Sequence, residues 1–117
     1  MKEKVFLLPE HAIRPNLAPN RGSCFASDMI TVEGYPVGLM FREEPNDEND
    51  SGWRFFSGSE SEEFTQDMDN FGLYDVNTIA NYDPAIIPFL DAEYDAAFER
   101  DSKSLSFIPY YFPDKPE

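Results

Sequence analysis

Acidic side chains are the only chemistry-bearing groups that this chain holds in number. Its 117 residues include 23 Asp and Glu, but one histidine, His11, and one cysteine, Cys24. A Cys/His zinc cluster needs several such ligands, and a disulfide within the chain needs a second thiol. A nucleophile activated by histidine would have to use His11, which lies in a proline-rich stretch and reads as a surface residue. Glycosidase chemistry needs two carboxylates at a set separation, and among so many acids nothing selects a pair. The residues carry little sign of catalysis, and the chain reads as a non-enzyme that uses no cofactor and no metal.

The acids are concentrated. Residues 43–69 hold ten of them against Arg54 alone, a net charge of −9. Asp47, Asn49, Ser51 and Gly52 match positions 1, 3, 5 and 6 of a calcium loop, but position 12 falls on Gly58 instead of the closing glutamate. The segment therefore reads as a solvated acidic loop. A surface of this charge suits a partner of opposite sign, because complementary charge speeds encounter and sets specificity. Glu43, Glu44, Asp47, Glu48, Asp50, Glu60, Glu62 and Glu63 are the candidate partner-binding residues. Trp53 joins them as a candidate anchor, with a core position as its other reading. Arg42, Arg54 and Arg100 read as partners of local carboxylates, and Cys24, beside Phe25 and Ala26, as a buried, inert thiol.

The whole chain carries a net charge of −14. That excludes nucleic-acid binding through a basic face and attraction to an anionic membrane. No apolar run approaches the ~18 residues that span a bilayer. Val5–Leu8 is too short for a signal-peptide core. The expected location is the cytoplasm.

The elements that must position these residues follow from periodicity and punctuation. Residues 1–22 read as an N-terminal extension with one short strand at Val5–Leu8, residues 23–112 as the domain, and 113–117 as a flexible tail. Cys24–Ser27 is a short apolar piece. Met29–Val32, Glu33-Gly34 and Tyr35–Arg42 read as a hairpin, with Tyr35, Val37, Leu39 and Phe41 facing the core at period two. Trp53–Ser57 has bulky residues on both parities, as in a strand covered on both faces. Ser59 and Glu62 match a capping box for a helix over 60–67. Phe71–Tyr74 reads as a brief strand. Asp75 caps a helix over 76–82 that turns Val76, Ile79 and Ala80 to one face. Asp83-Pro84 starts another helical turn, which Pro88 limits. Ala96–Arg100 and Leu105–Ile108 read as closing strands. The expected architecture is α+β: a single domain with an antiparallel sheet and short helices on one side.

Two stretches point further. Ser51-Gly52-Trp53-Arg54-Phe55-Phe56-Ser57-Gly58 is followed by Asn70-Phe71-Gly72-Leu73-Tyr74-Asp75-Val76-Asn77-Thr78-Ile79-Ala80-Asn81-Tyr82-Asp83-Pro84. With Val37–Pro45 before them and Phe98-Glu99-Arg100 after, this series resembles a bacterial immunity-protein family of polymorphic-toxin systems, formerly described only as a domain of unknown function. The resemblance covers Cys24 to Arg100. It implies a protein that neutralises a cognate toxin domain by binding it, with no catalytic residues to carry over. A toxin that cleaves nucleic acid would present a basic groove suited to the acidic segment. The residues alone leave open a second reading, a small acidic regulatory or scaffold domain that binds a cellular partner other than a toxin.

Overall fold

Ser27, Ser61, Asp75 and Asp83 are each the last extended residue before a helical segment, and each side chain accepts a backbone N–H of the turn it opens. Such caps fix where helix begins. In a computed structural model that describes residues 4–111, they separate strands β1 (Ser23–Ser27), β2 (Leu39–Arg42), β3 (Asp50–Phe56), β4 (Phe71–Asp75), β5 (Ala97–Arg100) and β6 (Phe107–Pro109) from helices α1 (Asp28–Thr31), α2 (Glu62–Thr65) and α3 (Val76–Tyr82). Short 3-10 turns occupy Glu10–Ala12, Met68–Asn70 and Pro84–Phe89. The strands form one six-stranded sheet in the order β4-β1-β3-β2-β5-β6, so the fold is a single α+β domain.

The sheet is mixed, where a purely antiparallel one was expected: β1 and β3 run parallel, and the remaining neighbours are antiparallel. The sequence hides this because β2 returns to the far side of β3 and leaves β1 beside it. Three other expectations are corrected. Met29–Val32 is not a strand; the Ser27 cap and Asp28 in the first turn make it part of α1 and its end. Val5–Leu8 is not a strand either; the Leu7 N–H donates to the Thr31 carbonyl, and no neighbour continues a ladder. In the second arm of the expected hairpin only residues 39–42 are extended into a strand. Its core-facing residue is Met40, fully buried, while Leu39 and Phe41 are half-buried.

Alternation along each strand assigns two faces. Cys24, Ala26, Met40, Trp53 and Phe55 point to one side, where Ile30, Val76, Ile79 and Ile86 from α1, α3 and the turn after it close the core. Segment 4–22 packs at this side: Asn77 Oδ1 accepts the N–H groups of Leu17 and Ala18, and its amide donates to the Arg14 carbonyl. The expected placement of all helices on one side does not hold. The ring of Phe64 in α2 meets Phe71 on the opposite face, so α2 and the Met68–Asn70 turn border the second side.

Gly52 explains part of the SGWRFF stretch. Between the Ser23–Asp50 and Phe25–Arg54 pairs the register shifts, and Gly52 sits there with φ of +88°. A Cβ on it would stand 2.1 Å from the Glu43 carbonyl oxygen. Gly52→Ala should therefore lower the unfolding free energy by about 1–3 kcal/mol or more. Urea denaturation measures this, and an unchanged midpoint would show that the bulge relaxes freely.

Candidate partner-binding surface

The acidic residues divide by what their carboxylates do. Asp50 and Trp53 are inside: both side chains are buried, and Trp53 Nε1–H donates to the Leu90 carbonyl at 3.1 Å. Asp50 receives both terminal nitrogens of Arg54, at 3.0 and 2.9 Å, and the backbone N–H groups of Asn46 and Gly52. The Arg54 hydrogen bonds hold its carboxyl well below the ordinary range. Both side chains are thus used inside the chain and are little exposed on its surface.

Glu43, Asp47 and Glu60 are partly engaged. Glu43 Oε1 accepts from Arg54 Nε at 2.7 Å, completing the charge shell of a buried guanidinium. Asp47 Oδ1 accepts the N–H groups of Asn49 and Asp50 and so shapes the loop. Glu60 accepts from the Ser57 N–H, the Ser57 hydroxyl and the Gly58 N–H. Burial raises the Glu60 carboxyl, but hydrogen bonds from Ser27 and Ser57 outweigh it and leave it below its ordinary value. That use of Glu60 also corrects the expected helix over 60–67. The cap is Ser61 and not Ser59, and α2 starts one residue after it. Glu44, Glu48, Glu62 and Glu63 are exposed, and none takes part in an ion pair among the described residues.

Sequence reasoning missed what lies between these charges. The second face of the sheet carries a run of phenylalanines: Phe41 stacks on Phe56 at 5.6 Å, Phe56 meets Phe71 edge-on at 5.5 Å, and Phe71 meets Phe64 at 5.8 Å. Phe25 lies beside them with the Arg54 guanidinium 5.0 Å above its ring. Ser27, opposite Phe71 in the β1–β4 ladder, is small enough for Phe56 and Phe71 to meet across it. These rings are half-buried, and Leu73 and Met68 at their border are 63% and 73% exposed. The signal was present in Trp53–Ser57, whose bulky residues on both parities were read as a strand covered twice. One cover is the core; the other face is covered in part, by α2 and the Met68–Asn70 turn over Phe71 and by Glu43 and Asp50 around Arg54.

The polar residues of the two motif stretches are mostly structural. Asp75 caps α3, Asn77 ties down segment 14–18, and Asp83 Oδ2 accepts from the Val37 N–H and from Arg100 at 2.8 Å. Cys24 is fully buried, and burial pushes its thiol far up, so it is inert. Among the described residues no three His, Cys, Asp or Glu side chains gather as a metal site, and no helix is long and apolar enough to cross a membrane.

Comparison with known proteins gives a family match. The immunity protein Imm33 domain matches residues 24–108, which run from within β1 into β6 and so include residues of all six strands. No curated protein and no solved structure matches the chain.

Proposed function

The chain belongs to the Imm33 immunity-protein family, and from that premise we propose that it neutralises a cognate toxin domain of a polymorphic-toxin system by stoichiometric binding in the cytoplasm, without catalysis. The family match carries the reading. The exposed charge of residues 43–69 supports a partner with a basic surface.

The direct test is protection. Cells that produce the cognate toxin domain should survive when the chain is co-produced and stop growing when it is not. Growth arrest in both cases would overturn the reading. The charge contribution has its own readout. Replacing Glu44, Glu48, Glu62 and Glu63 with glutamine removes four exposed charges and no described ion pair. Association with that toxin domain should slow by on the order of tenfold at low salt, and its salt dependence should flatten. Stopped-flow or surface-based kinetics across a salt series measures both, and unchanged rates would remove these residues from the encounter surface.

A further inference from the structure

The phenylalanine-lined face of the sheet carries an apolar groove beside exposed Leu73 and Met68. Resting on the immunity reading above, we propose that this face, and not the acidic loop alone, seats the toxin domain, with the groove between Phe25, Phe56, Met68 and Phe71 taking an apolar anchor of the toxin and the surrounding carboxylates meeting its Lys and Arg residues.

Size and lining argue for a protein anchor. The groove holds about 240 Å³ and is lined by Phe25, Phe56, Thr65, Met68 and Phe71. That is below the roughly 300–1,000 Å³ of small-molecule sites, and Thr65 is the only polar side chain lining it, where such sites carry several convergent polar groups. It suits one large side chain of a partner, in the manner of a central anchor with a polar rim.

The rim supplies the charge argument. Glu99 pairs with Leu39 on this face of the sheet, exposed Asp69 follows Met68 in the chain, and Glu63 and Asp67 line the neighbouring polar hollow beside Phe64. Arg54, the cation on this face, is neutralised by Asp50 and Glu43. A partner with an apolar centre and a cationic surround fits that pattern. A second copy of this chain does not, because a two-fold pairing through this face would set each acidic rim against its own image.

The test uses exposed positions, so that folding is retained. Leu73→Asp and Met68→Asp are compared with Tyr35→Arg, a control at 47% exposure in the separate groove that Leu7, Leu8 and Tyr82 line. The probe is the toxin domain of the protection assay, titrated by calorimetry, with thermal melts of every variant and sedimentation of the chain alone. The expected result is a loss of affinity on the order of 100-fold for each face variant, a wild-type value for Tyr35→Arg, unchanged melting and a monomer by sedimentation. Wild-type affinity in both face variants would overturn the docking face and leave the immunity reading standing. A dimer abolished by Leu73→Asp would assign the face to a second copy and also overturn it. A wild-type chain that neither binds nor protects would remove the immunity reading and this proposal with it.

Discussion

Asp50→Ala should be among the most destabilising single substitutions in this chain, lowering the unfolding free energy by about 3–5 kcal/mol. The Asp50 and Arg54 side chains are only 5% and 8% exposed. Removing the carboxylate leaves a buried guanidinium with Glu43 as its remaining anionic partner, and it frees the Asn46 and Gly52 N–H groups that shape the start of β3. Asp50→Asn should cost nearly as much, since it keeps the shape and loses the charge. Urea denaturation of both variants beside Glu44→Gln measures the effect; the surface variant should stay within about 0.5 kcal/mol of the parent chain. An equally small change in Asp50→Ala would mean that Arg54 reaches water when released.

The same pair makes stability depend on pH with a definite sign. The folded Asp50 carboxyl titrates below its ordinary value because Arg54 hydrogen-bonds the charged form. In the unfolded chain it titrates near the ordinary ~3.9. Its contribution is therefore complete above that value and is lost as pH falls from there toward the lower folded value. Denaturation below about pH 4 should be less steep in Asp50→Ala than in the parent chain. Parallel slopes would place the acid sensitivity in other carboxylates.

Trp53→Ala should cost a similar amount, about 3–5 kcal/mol. The ring is 1% exposed and stacks on Phe55 at 6.0 Å. The Arg42 guanidinium lies 5.9 Å from its centre. Truncation removes the largest buried side chain and leaves the Leu90 carbonyl without its indole donor. Trp53→Phe should cost less, because it keeps most of the volume and loses the one hydrogen bond. Both effects belong on stability: at a temperature where Trp53→Phe remains folded, its affinity for the toxin domain should equal that of the parent chain. A large loss of affinity with unchanged melting would put Trp53 at the interface after all.

These two positions show where sequence reasoning and tertiary structure part. Asp50 and Trp53 were candidate partner contacts because one extends an acidic run and the other is a lone tryptophan. Neither residue type reveals which way its strand faces. That parity is set by the shifted register beside Gly52 and by the parallel pairing with β1, both of which need residues far apart in the chain. The nine candidates separate in the same way. Glu44, Glu48, Glu62 and Glu63 remain available on the surface, while Glu43, Asp47 and Glu60 are drawn into local hydrogen bonds that only the folded loop defines.

What the sequence determined by itself was local or compositional. The strong acidity and the single histidine and cysteine are compositional, and the caps at Asp75 and Asp83 and the helix over 76–82 depend on neighbours a few residues away. The α+β class followed from the spacing of those elements. The family resemblance followed from two motif stretches whose polar side chains are fixed by the fold they hold together. Only the tertiary structure decided that the sheet is mixed, that Ser27 starts a helix where a strand was expected, and that α2 borders the opposite face from α3. It also decided that phenylalanines spread from Phe25 to Phe71 line the second, partly covered face of the sheet. Strand order and facing are long-range properties, set by which apolar surfaces meet after the chain has closed its loops, and a single sequence carries no separate mark for them.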